Sequence, residues 1–310
     1  MNWKNKKIIV TGGAGVIGTP LIEKLIIREA IVKCFNITPK PKGFPENVQY
    51  YKRDLSLLNP SEFISFDPEI IFHLAAIFEK TEEDPTFWEL NFTNNVVLSH
   101  KVIDAARCCK KLKKFIFASS YLVYDSSQYL FKKPAEPVAL KENDKIDVKN
   151  LYALAKHYTE KELNFTKSFS SVSARIFRVY GRNSRDFISR SIRAAINKDS
   201  ISLFSKENSF DYVFADDVAE GLIKLGELDI GNGIFNLGSG RVKNVGEVIS
   251  ILKNHFPDLK VEVKDKQDTY ENSCADMAAF KEATGWQPST TLDQGIKELI
   301  SYEIQKENKN

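Results

Sequence analysis

Three features of the sequence predict an α/β protein with a doubly wound parallel sheet. Short apolar runs alternate with helical stretches in the first half of the chain, and a glycine cluster joins the first strand to the first helix. The 310 residues are 43% apolar and 27% charged, which excludes disordered and fibrous classes. A chain of this length can bury a core without help from disulfides or metals.

The elements follow from the apolar spacing in chain order. Apolar runs predict strands over residues 7–11, 30–35, 70–74, 115–118 and 172–177. Helical spacing predicts helices over residues 19–29, 91–109, 151–167, 187–197, 216–228 and 246–256, with a last helix from about 292. Residues 125–150 are polar and contain two prolines, which predicts a long loop of the kind that is often functional.

Charge and cysteine usage exclude several classes of partner. The net charge is +3, from 44 basic and 41 acidic residues, so neither nucleic acid nor an anionic membrane is expected as a partner. No apolar run approaches the ~18 residues that span a bilayer. The four cysteines lack metal-ligand spacing, so we expect no metal site and a reduced, cytoplasmic chain.

The strongest motif is the glycine-rich segment between the first predicted strand and the first predicted helix. Its sequence is Thr11-Gly-Gly-Ala-Gly-Val-Ile-Gly18. Such a turn brings backbone N–H groups and a helix N-terminus against a pyrophosphate, where side chains would intervene. We therefore expect a bound dinucleotide. The residues expected to hold it here are Gly12, Gly15, Val16 and Ile17.

A dinucleotide site near the start of the chain sets the predicted domain organisation. We expect a Rossmann-like dinucleotide-binding domain over residues 1–176 and a smaller α/β substrate-binding lobe over 177–310. No repeat, low-complexity tract or linker marks the boundary, so we expect the two parts to be interleaved.

The choice between NAD and NADP depends on the end of the second predicted strand. An NAD site usually has an acidic residue there to hold the ribose hydroxyls, but this chain has Asn36. Asparagine can bond a ribose without repelling a 2′-phosphate, and Lys40 and Lys42 follow closely. These residues therefore leave the choice open, and the expected cofactor is NAD or NADP, with NAD named first. Asp54 ends a further predicted strand, where it either accepts from the adenine amino group or caps a turn.

A tyrosine and a lysine four positions apart on a helix share one face, and the ammonium favours the phenolate. Such a tyrosine can accept the proton of a hydroxyl whose hydride is leaving. The chain has three of these pairs, of which two lie in the long loop and the last helix. Tyr152 and Lys156 instead lie in the first turns of a predicted helix, which follows a predicted strand that ends at Ser120. Ligands bind at the carboxyl ends of such strands. We therefore predict that Ser120, Tyr152 and Lys156 are catalytic.

Together these motifs resemble the extended short-chain dehydrogenase/reductase family, in its NAD-dependent nucleotide-sugar epimerase and dehydratase branch. The likeness covers nearly the whole chain. Besides the glycine-rich segment it rests on Asp54-Leu55, His73-Leu-Ala-Ala76, Asn91, Ala118-Ser-Ser-Tyr-Leu-Val-Tyr124, Tyr152-Ala-Leu-Ala-Lys156, Arg175-Ile-Phe-Arg-Val-Tyr-Gly181 and Phe210-Asp-Tyr-Val-Phe-Ala-Asp-Asp-Val-Ala219.

The resemblance implies individual roles. Tyr152 would be the acid/base, Lys156 would lower its pKa and hold the nicotinamide ribose, and Ser120 would bond the C4 oxygen of the sugar. The small Ala75 and Ala76 would let the cofactor pass over the sheet. Further cofactor contacts are implied at Asp54, Leu55, Leu74, Asn91, Ala118 and Phe177, and at Tyr152 and Lys156 themselves.

Departures from the family pattern narrow the reaction. The 4,6-dehydratases carry an Asp-Glu pair directly after the Ser/Thr, where this chain has Tyr121 and Leu122. Neither residue can transfer the proton that the elimination of water requires, so a dehydratase is disfavoured. The related decarboxylases keep the Glu and are disfavoured as well. Tyr121 is expected to contact the substrate.

The residues expected at the substrate diphosphate also depart from the pattern. Arg178 stands where relatives have Asn, and Phe210 where they often have Arg. Six of the ten arginines fall within residues 175–193, and arginine forks suit phosphate oxygens. We expect substrate contacts at Arg178 and Arg185, and at Lys266, which stands near another basic position of the family.

The sequence thus predicts an NAD(P)-dependent oxidoreductase or epimerase that acts at C4 of a nucleotide-activated sugar through a 4-keto intermediate. One alternative is a one-way C4 dehydrogenase or 4-ketosugar reductase, and another is a catalytically silent dinucleotide-binding regulator. Helices 91–109 and 151–167 are those that pair across a dimer in relatives, so a homodimer is expected. His73 is expected to be structural.

Overall fold

A computed structural model of the chain describes residues 2–78, 85–264 and 269–308. The strands are β1 (Lys7–Thr11), β2 (Ile31–Asn36), β3 (Gln49–Lys52), β4 (Ile70–His73), β5 (Lys114–Ser120), β6 (Leu130–Phe131), β7 (Val138–Leu140), β8 (Ser170–Ile176), β9 (Arg178–Tyr180), β10 (Ile201–Leu203), β11 (Ser209–Phe214), β12 (Gly233–Leu237), β13 (Val242–Asn244), β14 (Val261–Val263) and β15 (Tyr270–Ala275). The α-helices are α1 (Gly18–Ile27), α2 (Ser61–Ile64), α3 (Pro85–Asn91), α4 (Leu98–Arg107), α5 (Leu151–Phe165), α6 (Phe187–Ile196), α7 (Ala215–Glu227), α8 (Val245–His255), α9 (Ala278–Thr284) and α10 (Leu292–Glu307).

Seven strands form the main sheet, in the order β12-β8-β5-β4-β1-β2-β3. Each neighbouring pair is parallel. The chain moves outward from β1 through β2 to β3 and then returns past β1 to β4, so the strand order reverses between β1 and β4. This arrangement confirms the predicted doubly wound, Rossmann-like α/β fold and places its topological switch point beside the glycine-rich segment.

Helices cover both faces of the main sheet. Ile8 and Val10 of β1 point into the core shared with α1 and α7, whereas Ile9 points into the core shared with α4 and α5. All three side chains are fully buried, as expected for a parallel sheet that is covered on both sides. The carboxyl ends of the strands form the edge available for a ligand. In the part of the chain that the structure describes, the helices lack the length and apolar content that a bilayer crossing requires.

The smaller lobe has its own sheet, centred on β11. This strand pairs with β9, β13 and β15, and β15 also pairs with β6 and β7. Side chains of α6, α8 and α10 supply its apolar core. Strands β6 and β7 come from the segment predicted as a loop, and that prediction is wrong there because both short strands pair with the distant β15. Strand β12 comes from the second part of the chain but pairs with β8 in the main sheet, so the two parts are interleaved. The division into residues 1–176 and 177–310 stays a prediction.

The helix predicted over residues 91–109 is divided in the structure. Helix α3 begins at Pro85, a π-helical turn follows at Phe92–Val97, and α4 ends at Arg107. A π-helical turn inserts an extra residue and re-aims the side chains around it, which is a frequent feature of functional sites. The apolar spacing of residues 92–97 resembles that of an ordinary α-helix, so the sequence pattern does not reveal the π-helical turn.

Candidate active site

The glycine-rich segment makes a tight turn against the end of β4. Gly12 has a φ of +71°, and its N–H donates to the carbonyl of Phe35 at 2.8 Å. A Cβ at Gly12 would stand 2.7 Å from the backbone nitrogen of Ala75. The N–H of Gly15 donates to the Gly12 carbonyl at 3.0 Å, which closes the turn before α1 begins. The backbone at this site therefore forms a cradle that only glycine fits, as a dinucleotide pyrophosphate requires.

A buried hydrogen-bond chain fixes the end of β4. The Oγ1 of Thr11 lies 2.7 Å from Nδ1 of His73, whose Nε2 lies 3.0 Å from Oγ of Ser99. The same Oγ1 accepts N–H groups from the two residues after His73, at 3.2 Å each. Burial, together with the nearby Lys156, lowers the pKa of His73 to about 3. His73 is therefore neutral and structural, as its sequence context predicted.

Asn36 at the end of β2 contacts the glycine-rich segment. Its Oδ1 accepts the N–H of Ala14 at 3.4 Å, and its Nδ2 donates to Oγ1 of Thr38 at 2.7 Å. Asp54 instead accepts from the backbone and hydroxyl of Ser56, at 2.9 and 2.8 Å through one oxygen, so it caps the turn after β3. Of the two roles considered for Asp54, the structure displays the cap. Contact with adenine stays a prediction.

Two of the proposed catalytic residues, Tyr152 and Lys156, lie on α5 beside the carboxyl end of β5, the strand that ends at the third. Ser120 is the last residue of β5, and α5 begins after Asn150, whose Oδ1 caps the helix by accepting the Ala153 N–H at 2.7 Å. Lys156 points inward from α5 and donates from Nζ to the Ala118 carbonyl at 2.7 Å. The same Nζ lies 5.4 Å from the centre of the Tyr152 ring. The geometry thus brings tyrosine, lysine and the end of β5 together, as the sequence predicted.

The electrostatics of the pair differ from the expectation. Burial raises the pKa of Tyr152 to about 12, and burial lowers the pKa of Lys156 to about 7 although the charge of Glu160 raises it. The expected fall in the tyrosine pKa is therefore absent in the protein alone, because the ammonium is bonded to a carbonyl rather than to the phenol. An oxidised nicotinamide would add positive charge at this place and favour the phenolate.

The structure reveals a residue beside the candidate site that the sequence interpretation missed. Asn95, in the π-helical turn, accepts the N–H of Ile77 at 2.8 Å and donates to its carbonyl at 3.0 Å, so it fixes the segment after β4. Asn95 also donates to Oδ1 of Asn91 at 2.7 Å. Asn91, predicted as a cofactor contact, donates in turn to the Leu151 carbonyl at 3.2 Å and joins this segment to α5.

A second polar cluster lies beyond Ser120. The Tyr121 ring stacks on Phe177 with centroids 5.0 Å apart, and its hydroxyl donates to Glu271 at 2.7 Å. Arg178 donates to the same carboxylate at 3.0 Å. Sequence reasoning missed Glu271, and it treated Arg178 as a cation free for phosphate. Glu271 balances the guanidinium charge, and Ser273 donates to the same carboxylate at 2.9 Å. The substrate contact at Arg178 stays a prediction.

Most of the arginine cluster is engaged within the protein. Four of its six members pair with carboxylates: Arg175 with Glu160, Arg178 with Glu271, Arg182 with Glu23 and Arg193 with Glu303. Arg185 is exposed and has no side-chain partner among the described residues, so it keeps its place as a predicted substrate contact. Lys266, the other predicted basic contact, lies outside the described residues.

Comparison with known proteins agrees with this geometry. Residues 8–238 match the model of the NAD dependent epimerase/dehydratase family. The chain belongs to this family. The resemblance drawn from the motifs is thereby confirmed, and so is NAD as the cofactor at the level of the family.

Full-length relatives carry several activities within this family. One is a dTDP-4-dehydro-6-deoxyglucose reductase of Escherichia coli, 28% identical over 97% of this chain and 98% of the relative. Another is a putative UDP-glucose 4-epimerase of Methanocaldococcus jannaschii, 28% identical over 95% and 97% of the two chains. Both matches run through nearly the whole length of each protein.

Solved structures share the same fold. A UDP-N-acetylglucosamine 4-epimerase from Methanobrevibacter ruminantium, in complex with UDP-N-acetylmuramic acid, superposes with a TM-score of 0.83 at 24% identity over 98% of this chain and 99% of that one. A UDP-glucuronic acid 4-epimerase from Bacillus cereus, in complex with UDP-glucuronic acid and NAD, gives 0.84 at 21% identity over 97% and 99%. At these identities the likeness establishes the fold.

Proposed function

We propose that this chain oxidises C4 of a nucleotide-activated sugar to a 4-keto group and, as an epimerase, returns the hydride to the opposite face. The observation that carries the proposal is the placement of Tyr152 and Lys156 on α5 against the end of β5, beside the glycine cradle. This is the arrangement that removal of a hydroxyl proton needs during hydride transfer. The names of the relatives supply the class of substrate.

Each catalytic side chain has a defined task. When bound, NAD supplies the hydride acceptor for the carbon. Tyr152 takes the proton of the C4 hydroxyl and later gives it back, while Ser120 bonds the same oxygen and fixes its position. Lys156 supplies the positive charge that favours the tyrosine phenolate and holds the nicotinamide ribose. Phe177, which is buried and stacked on Tyr121, forms part of the adjacent wall.

The residues proposed to hold NAD surround the switch point of the sheet. Gly12, with its neighbours in the glycine-rich segment, would hold the pyrophosphate, and Asn36 the adenosine ribose. The remaining proposed contacts are Gly15, Val16, Ile17, Asp54, Leu55, Leu74, Ala75, Ala76, Asn91 and Ala118. NAD is favoured over NADP because Asn36 is already bonded to the loop and Lys40 lies 3.8 Å from Glu46.

The second candidate function is a one-way C4 dehydrogenase or 4-ketosugar reductase, because the Escherichia coli relative is a reductase. A silent regulator is the third, and retention of both Tyr152 and Lys156 argues against it. A 4,6-dehydratase remains disfavoured because Tyr121 and Leu122 stand in place of the acidic pair. The carboxylate of Glu271 nearby is already engaged by three donors.

The test begins with the cofactor. Freshly purified protein is denatured, and the released dinucleotide and its redox state are identified by mass spectrometry. The intact protein is then incubated with UDP- and dTDP-hexoses while sugar products and nicotinamide absorbance are followed. Retained NAD with catalytic interconversion of C4 epimers is the expected result. Stoichiometric change in reduced nicotinamide would favour the one-way reaction, and absence of turnover on every nucleotide sugar would leave the silent regulator.

We also propose a homodimer through the helices predicted at residues 91–109 and 151–167. Exposed apolar side chains lie on the neighbouring α3, π-helical turn and α5: Trp88 and Phe92 are 59% exposed, and Leu154 and Tyr158 are 49% exposed. In each pair the two residues are four positions apart, so each pair lies on one helix face. Contiguous apolar surface of this kind is typical of protein interfaces.

We expect Leu154→Glu to convert the dimer into a monomer, because a second copy would have to bury the new charge. Size-exclusion chromatography with light scattering measures the mass. Phe204→Glu is the matched control: its site is 61% exposed but lies after β10 in the other lobe, so the mass should be unchanged. A wild-type protein that is monomeric at micromolar concentration would contradict this interface.

We propose the cytoplasm as the compartment, because the cysteines favour a reducing one. Cys34, Cys108, Cys109 and Cys274 are free thiols, and three of them are buried. Fractionation of the source cells checks the location, and a secreted or membrane-bound protein would contradict it.

A further inference from the structure

A buried ion pair lies directly behind the catalytic helix. Glu160 and Arg175 are about 1% exposed at their side chains, and they form two hydrogen bonds, from Nε to Oε1 at 3.1 Å and from Nη2 to Oε2 at 2.9 Å. Ser119 donates a third hydrogen bond to Oε1, at 2.6 Å. Nothing in the proposed reaction assigns a task to Glu160.

The position of Glu160 along α5 connects it to the proposed catalytic residues. It lies one turn beyond Lys156 and two turns beyond Tyr152, so the three side chains follow one face of the helix. Lys156 bonds the carbonyl of Ala118, while Glu160 bonds the side chain of Ser119. Helix α5 is therefore attached to two consecutive residues of β5, and the next residue of that strand is the proposed catalytic serine.

The charged and titratable groups around Lys156 show how the Glu160 carboxylate affects the pKa of the lysine. From α5 itself, Tyr152 and Glu160 face the ammonium, and from β4 comes His73, which is neutral. Arg175 of β8 donates to both oxygens of the Glu160 carboxylate. Burial lowers the pKa of Lys156 to about 7, and the charge of Glu160 opposes that fall. Burial raises the pKa of Glu160, but contacts from His157, Arg175 and Ser119 outweigh it and bring that pKa to about 2.

We propose that Glu160 is a positioning residue, which holds α5 in register with the end of β5 and places its carboxylate one helical turn from the Lys156 side chain. The inference rests on the proposed function of Tyr152 and Lys156. Glu160 touches neither substrate nor cofactor in this scheme. It acts through Lys156, whose charge the proposed proton transfer needs, and through Ser119, whose neighbour bonds the sugar oxygen.

The test compares Glu160→Gln with two further variants of the NAD-loaded protein. Glutamine keeps the shape and an acceptor for Ser119 but removes the charge, which leaves the Arg175 guanidinium buried without its partner. The double variant Glu160→Gln with Arg175→Gln avoids that orphan charge, so it removes the carboxylate in a chain with less reason to unfold, and the positive charge of Arg175 is lost with it. Glu303→Gln is the matched control, because Glu303 is a buried helical glutamate paired with Arg193 in the other lobe.

We expect the alkaline limb of the kcat profile to move to lower pH by about one unit in Glu160→Gln, since one nearby charge shifts a buried lysine by that order. The shift should be smaller in the double variant, because the loss of the Arg175 charge offsets part of the effect. KM for the nucleotide sugar should change less than about twofold, because Glu160 does not touch the substrate. Glu303→Gln should keep the wild-type profile. A purely structural role would lower the melting temperature and the active fraction but leave the pH profile in place.

A direct titration separates this inference from the proposed function. NMR of protein labelled at lysine Cε, with the Lys156 signal assigned by Lys156→Met, reports the pKa of Lys156 without any turnover. A lower value in both Glu160 variants than in Glu303→Gln supports the proposal even if no nucleotide sugar reacts. Equal titration of Lys156 in all these proteins overturns it, and turnover in the wild type would still stand.

Discussion

Tyr152→Phe should lower kcat for the nucleotide sugar by about 10²- to 10⁴-fold, the range that general acid/base catalysis contributes. The substitution removes one hydroxyl and leaves the ring, its edge contact with Phe78 at 4.8 Å and the helix unchanged. No other described group is proposed to accept the proton of the C4 hydroxyl. NAD should stay bound, because most of the proposed contacts with the dinucleotide come from other residues. Steady-state kinetics and mass spectrometry of the released cofactor measure the two effects.

Tyr302→Phe provides the matched control for this experiment. Tyr302 also precedes a lysine by four positions, but it lies in α10, where its hydroxyl bonds Asn183 at 3.2 Å. The kcat of the Tyr302→Phe variant should equal that of the wild type. If Tyr152→Phe turns over nucleotide sugars as fast as the wild type, the proposed mechanism is wrong. Loss of activity together with loss of NAD would point to a cofactor-binding role for the hydroxyl.

The parts of the fold that the sequence predicts are those encoded by local periodicity. Strand β1 has the predicted bounds, and α1 and α5 begin within one residue of their predicted starts. Each lies in a short stretch whose apolar pattern and glycine or Asn150 cap point to one structure. Gly12 and Ser120 could be placed because a strand end and a loop composition identify them without knowledge of distant residues.

Residues that depend on distant pairing could not be predicted in this way. Glu271 meets Tyr121 across 150 positions, and Arg193 meets Glu303 across 110. Composition shows that arginines cluster near residue 180 but not that carboxylates from elsewhere in the chain neutralise them. Asn95 was missed for a different reason: a π-helical turn re-aims its side chain toward the segment after β4, and the sequence spacing is that of an ordinary helix.

Gly12→Ala should destabilise the protein by about 2–5 kcal/mol and weaken NAD binding at least about tenfold. A left-handed backbone costs a non-glycine residue roughly 1–2 kcal/mol, and overpacking against a fixed neighbour adds about 1–3 kcal/mol. Here the neighbour is backbone, since the new Cβ would stand 2.7 Å from the nitrogen of Ala75. To relieve this clash, the glycine-rich turn must move away from the end of β4. The proposed pyrophosphate site lies at that turn. Urea unfolding and calorimetric titration with NAD measure the two losses.

Gly43→Ala separates the two causes, because Gly43 has a φ of +77° and nothing within 4 Å of its would-be Cβ. It therefore carries the backbone penalty of about 1–2 kcal/mol without the clash, far from the cradle. If both variants lose the same stability and NAD affinity, the close approach of the turn to β4 does not matter. If only Gly12→Ala loses NAD affinity, the contact between the turn and Ala75 sets the shape of the pyrophosphate site, since backbone conformation is the one factor the two substitutions share.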